Sequence, residues 1–169
     1  MGHPLPFLLS VVAISLSGIM VPGPVLVATV SRGYRDRRAG LAISLGHGLV
    51  EFPLIIGLYF GLRAVLSHPS VVTGISLAGG SVLVLLGYWE LRKGGGIGGE
   101  ASPLPRGSLS SLWVGAVATA GNPYFFLWWT TVGSALLFRA MGFPRWVLWF
   151  FPLVHWLWDL GWNLGVSWV

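Results

Sequence analysis

An all-α polytopic membrane protein is the fold class that three observations predict. Hydrophobic residues make up 54% of the 169 positions and charged residues only 9%, with ten tryptophans. The apolar residues gather into long runs, and the charges fall in the short gaps between them. Such a chain is too apolar for an ordinary soluble domain. A hydrocarbon layer of roughly 30 Å needs about 20 apolar residues of helix, rising 1.5 Å each. Five stretches satisfy that length: Leu5 to Ser31, Ala39 to Leu62, Val71 to Trp89, Ser108 to Phe138, and Trp146 to Val169.

The first stretch runs uncharged for about 27 positions, roughly 40 Å as helix, which is longer than the hydrocarbon requires. It is too long for the apolar core of a signal peptide, and no Lys or Arg precedes it. Pro22-Gly23-Pro24 breaks it: Pro22 removes a backbone donor, Gly23 permits unusual angles, and Pro24 suits the first turn of a new helix. A half-helix starting at Pro24 would aim its positive end at whatever occupies the gap. In lipid such a break is tolerated only where protein or a water-filled cavity covers it.

The second stretch carries His47 and Glu51, four apart and so on one helical face. The third holds no charged residue before Glu90. It leads into a Gly-rich linker, 92–107, which divides the chain into halves 1–91 and 108–169. That linker lacks the Gly-Lys-Ser/Thr end of a phosphate loop, so no nucleotide is expected there. The fourth stretch is broken at Gly121-Asn122-Pro123, where the Asn122 amide can cap a helix or bind a polar ligand. The fifth repeats the histidine and acid spacing with His155 and Asp159. Pro53 and Pro152 lie near the two pairs and free the carbonyls of Leu49 and Leu148. Gly57-x-x-x-Gly61 and Gly161-x-x-x-Gly165 suit close helix contacts, and Trp89, Trp113, Trp146 and Trp168 lie near span ends, as interfacial anchors do.

A break followed by a histidine and acid thus occurs twice. Three spans precede the linker, so the fourth runs opposite to the first and any repeat must be inverted. The second three-helix unit is incomplete, with two spans where symmetry asks for three. Either the chain is truncated or a second copy completes it as a homodimer. Of the ten basic residues, Arg32, Arg35, Arg37, Arg38, Arg92, Lys93 and Arg106 fall on one side, against Arg63, Arg139 and Arg145. The positive-inside rule then places the N-terminus outside a plasma membrane, with loops 32–38 and 92–107 cytoplasmic. The net charge of +5 therefore reflects orientation in a lipid bilayer and not a nucleic-acid partner.

Intramembrane acids are costly, about 2.5–3.5 kcal/mol at a helix centre on insertion scales, so Glu51 and Asp159 should face the bundle or a cavity. They are the expected proton- or ion-coupling groups, with His47 and His155 as relay or hydrogen-bond partners. Packing pairs, in which each histidine bonds its own acid, are the plainer alternative. Two histidines and two carboxylates could also hold nickel, cobalt, zinc or manganese if the pairs converge, which would make the chain a divalent-metal exporter. A non-transporting truncated membrane protein is the third alternative. The absence of cysteine excludes thiolate sites, and no His-Glu-x-x-His helix or serine nucleophile motif marks an enzyme. No cofactor is implied.

Val21-Pro22-Gly23-Pro24, the loop Ser31-Arg32-Gly33-Tyr34-Arg35, Ala39-Gly40-Leu41-Ala42 and Gly46-His47-Gly48 together resemble the opening signature of the LysE/RhtB amino-acid exporters. Gly121-Asn122-Pro123 with its following aromatics is similar to that family's Asn-Pro motif, and Asp159 in Asp159-Leu160-Gly161-Trp162 to its late-span acid. Tyr124 stands where a lysine is common, and members usually continue through one more span. The resemblance implies a small secondary exporter of amino acids or related polar solutes, driven by a proton or ion gradient. Its substrate site would be formed at Pro22, Gly23, Pro24, Asn122 and Pro123.

Overall fold

The computed structural model describes residues 3–92 and 107–169, and every regular element among them is helical. The chain order is α1 (Pro4–Ile19), α2 (Pro24–Gly33), α3 (Ala39–Tyr59), α4 (Arg63–Leu66), α5 (Pro69–Arg92), α6 (Ser108–Ala120), α7 (Pro123–Trp128), a π-helical turn (Trp129–Gly133), α8 (Ser134–Ala140) and α9 (Arg145–Trp168). The all-α expectation is met. Residues 93–106, which hold nearly all of the expected Gly-rich linker, lie outside the described residues.

The first break is real: α1 and α2 meet at 81° across four residues. Gly23 is extended (φ −152°, ψ −178°), and Pro24 opens α2 with the φ that a first helical turn needs. The second break is shorter. Asn122 is extended (φ −97°, ψ 104°) and its side-chain oxygen accepts from the Tyr124 amide at 3.1 Å, capping α7 behind Pro123. α3 is long and apolar enough to cross a membrane alone, and α1 with α2 passes together as one bent span. The other three expected stretches are helical, as α5, α6 through α8 and α9, but among the described residues none of them is long and apolar enough to pass as a span.

α3 and α9 form the centre. α3 packs on α6, α9 and α2, while α9 packs on α1, α2 and α3. Glycines set the closest approaches. A Cβ on Gly46 would collide with the Leu112 carbonyl of α6, and one on Gly115 with the Ile43 carbonyl of α3. At the far end of α9, Gly40 and Gly33 lie directly against the backbone of Asn163 and Ser167. The two Gly-x-x-x-Gly pairs named from sequence do something else. Gly61 and Gly165 face open space, Gly57 meets Leu62 and Gly161 touches Trp158, so neither pair mediates a helix contact among the described residues.

α9 buries every fourth residue along its length: Val147, Phe151, His155, Asp159, Asn163 and Ser167. The stripe is apolar for two turns and polar thereafter. Its apolar end joins Phe7, Val11, Leu54, Leu58 and Trp129 in the main hydrophobic cluster. Phe7 stacks on Phe143 at 5.1 Å and meets Phe151 edge-on at 6.2 Å.

Candidate functional site

His47, Glu51, His155 and Asp159 come together at the α3–α9 interface, all buried. Glu51 has the more central place and is completely inaccessible. Its Oε1 lies 3.2 Å from His47 Nε2 and 3.1 Å from His155 Nε2, and it accepts the Trp129 indole N–H at 3.2 Å. Asp159 Oδ2 lies 3.3 Å from His155 Nε2 and 3.9 Å from His47 Nε2. Each histidine therefore faces the acid of the other helix as well as its own. The own-acid contacts of the packing-pair alternative are present, His47 to Glu51 at 3.2 Å and His155 to Asp159 at 3.3 Å, and the contacts across the interface are added to them.

The other ring nitrogens are held by hydroxyls that the sequence reading did not single out. His47 Nδ1 lies 2.9 Å from Thr119 Oγ1, which donates its one proton to the Gly115 carbonyl at 2.8 Å. The hydroxyl must therefore accept from His47, so Nδ1 carries the hydrogen and a neutral His47 turns its Nε2 lone pair toward the acids. A lone pair facing a carboxylate oxygen at 3.2 Å is repulsive unless a proton or another cation is shared there. His155 Nδ1 lies 2.7 Å from Ser15 Oγ. Thr119 precedes the second break and Ser15 the first. The pairing is thus crossed: the α3 histidine is held by α6, and the α9 histidine by α1.

The half-helix after the second break supplies an aromatic surround. Trp128 stacks on His155 at 4.9 Å, Trp129 meets the same ring edge-on at 5.2 Å, and Phe125 meets His47 edge-on at 5.4 Å. The π-helical turn begins at Trp129 and Gly133 leaves room for its indole, where any Cβ would strike the ring. Widening the helix by one residue at this point aims the indole N–H at Glu51. On α3, Gly48 clears space for Trp156, whose indole N–H donates to the Ser44 carbonyl at 2.9 Å and ties α9 down.

Both breaks and both pairs line one cavity of about 70 Å³. Gly23, Val25 and Leu26 border it from the start of α2, Asn122 and Tyr124 from the start of α7, and His47, Glu51, His155 and Asp159 from the centre. Gly23 and Asn122 sit side by side, since a Cβ on the glycine would lie 3.5 Å from the Asn122 amide nitrogen. Pro24 and Pro123 start the two half-helices, and Pro22 lies exposed in the first break. The volume exceeds the roughly 10–15 Å³ that one water needs, so a small solute or several waters fit.

Among the described residues, Glu51 Oε2 and the indole nitrogen of Trp162 are buried at this cavity without a hydrogen-bond partner, and Asp159 Oδ2 has only its ion-pair contacts with the two histidines. Buried polar atoms are normally paired, so these are the natural contacts for something entering the cavity. The first amides of α2 add donors that a helix start leaves without intrahelical partners. Beyond Asp159 a bonded chain continues along α9 and across to α2. Thr29 Oγ1 donates to Asn163 Oδ1 at 2.8 Å, and Asn163 Nδ2 donates to the Asp159 carbonyl at 2.9 Å.

A family model described as LysE type translocator matches residues 16–169. No curated protein and no solved structure matches the chain.

Proposed function

The chain belongs to the LysE type translocator family, and from that premise we propose that it exports amino acids or related small polar solutes across the plasma membrane, coupled to a proton or ion gradient. The observation that carries this reading is the convergence of both helix breaks and both histidine–acid pairs on one cavity.

The cavity's chemistry favours a solute bearing both charges. The α2 helix start and the Trp162 N–H offer donors to a carboxylate, while Glu51 Oε2 and Asp159 Oδ2 offer acceptors to an ammonium group. Glu51 and Asp159 are the coupling acids in this reading, and His47 and His155 share their protons. An inverted repeat is part of the proposal. Its support is the crossed pairing, with His47 on Thr119 and His155 on Ser15. Such repeats place transport sites at their mutual interface, and the α3–α9 contact is such an interface.

Efflux of a panel of radiolabelled amino acids from cells expressing the chain, with and without a proton uncoupler, tests the proposal. Uncoupler-sensitive efflux is expected, and Asp159→Asn is expected to abolish it while membrane insertion stays intact. Full efflux by that variant would remove Asp159 from the mechanism. A panel on which nothing moves, despite insertion, would overturn the amino-acid reading.

A further inference from the structure

We infer that the ring of His47, Glu51, His155 and Asp159 binds one divalent first-row transition-metal ion. This goes beyond the solute reading and does not rest on it, because binding is measured on the purified chain and the solute by efflux.

The spacing of the ring carries the inference. Going round it, His47 Nε2 to Glu51 Oε1 is 3.2 Å, Glu51 Oε1 to His155 Nε2 is 3.1 Å, His155 Nε2 to Asp159 Oδ2 is 3.3 Å, and Asp159 Oδ2 back to His47 Nε2 is 3.9 Å. An ion with bonds of about 2.1 Å holds neighbouring ligands about 3.0 Å apart at right angles and about 3.4 Å apart in a tetrahedron. Three of the four edges fall in that range without movement. Ligand atoms of His47, Glu51 and Asp159 also all lie within 4.8 Å of one another. Those three can share one centre once Asp159 draws in toward His47, and His155, whose Nε2 lies 3.1 Å from Glu51 Oε1 and 3.3 Å from Asp159 Oδ2, joins as fourth ligand by shifting toward it.

Three further features agree with the spacing. Thr119 fixes the His47 hydrogen on Nδ1 and leaves Nε2 free to coordinate, the outer-sphere arrangement that orients metal-binding histidines. Glu51 Oε2 is buried without a hydrogen-bond partner and Asp159 Oδ2 has only its histidine contacts, and a dication held between them would neutralise two buried carboxylates. The cavity bordering all four side chains gives an entry path. Imidazole and carboxylate ligands without sulfur suit Mn²⁺, Co²⁺, Ni²⁺ and Zn²⁺ and not the soft Cu⁺ ion.

The full chain, purified in detergent and stripped with chelator, should be titrated with Co²⁺ alone while the visible ligand-field bands are recorded. Mn²⁺, Ni²⁺ and Zn²⁺ follow by equilibrium dialysis with metal analysis. One ion per chain is expected, with cobalt bands typical of mixed nitrogen and oxygen ligation. His155→Gln and Glu51→Gln should remove binding, and Thr119→Val, which touches no metal, should weaken it about 10–100-fold as outer-sphere changes do. Failure of the wild-type chain to hold any of the four ions above a detergent blank overturns the inference, whatever the variants do. So does stoichiometric binding that survives both His155→Gln and Glu51→Gln.

Discussion

The two histidine–acid pairs have the same spacing on their helices but different situations. In α3, Glu51 is completely buried and its Oε1 meets three nitrogens, those of His47, His155 and Trp129, at 3.1–3.2 Å. In α9, Asp159 is 7% exposed, and its Oδ2 meets His155 at 3.3 Å and His47 only at 3.9 Å. The extra methylene of glutamate lets α3 reach the centre of the cluster, whereas aspartate stops at its edge. An i, i+4 repeat in sequence therefore encodes two situations, an anchor that holds both imidazoles and a slightly more open group at the edge of the cavity.

Substitutions can break that contrast. The largest effect is expected from Glu51→Ala, which strips both imidazoles and the indole of their shared acceptor. Removing one member of a buried charged network costs about 3–5 kcal/mol, read as a loss of resistance to unfolding in detergent. A variant as stable as the wild type would show that Glu51 is no anchor. Asp159→Ala should cost less, about 1–3 kcal/mol for the polar partners it leaves. Equal losses at the two positions would erase the distinction between them.

Smaller substitutions sharpen it. Trp129→Phe removes one donor to Glu51 and leaves the ring packing against His155, with an expected cost of about 1 kcal/mol. Ser15→Ala and Thr119→Val each unpair one imidazole nitrogen, at about 1 kcal/mol or slightly more. In a double-mutant cycle, Thr119→Val should couple to substitution of His47 and not of His155, and Ser15→Ala the reverse. Coupling in the uncrossed sense would refute the exchanged pairing of the two halves.

Much of this was legible in the chain because it follows from local rules. Apolar run length gave the helical stretches, Pro22-Gly23-Pro24 and Asn122-Pro123 marked the breaks, and spacing put each acid on its histidine's face. Asn163 and Ser167 could have been found the same way, by continuing the four-residue ladder from Asp159. Ser15, Thr119 and Trp129 had no such signal. Each is an ordinary residue in an apolar helix until another helix is laid against it. The glycine contacts misled for the same reason: Gly57, Gly61, Gly161 and Gly165 have the familiar spacing, yet Gly46 and Gly115 make the contact between α3 and α6.

By itself, then, the sequence determined what covalent chemistry and helical periodicity can determine: where helices run, where they cannot continue, and which titratable groups share a face. Tertiary structure alone decided that the two pairs interlock, that each histidine is held by the opposite half, and that Glu51 and not Asp159 is the anchor. Those outcomes depend on how closely backbones approach and on side-chain reach across an interface. They are fixed by contacts between residues such as His155 and Ser15, 140 positions apart, for which no local pattern exists.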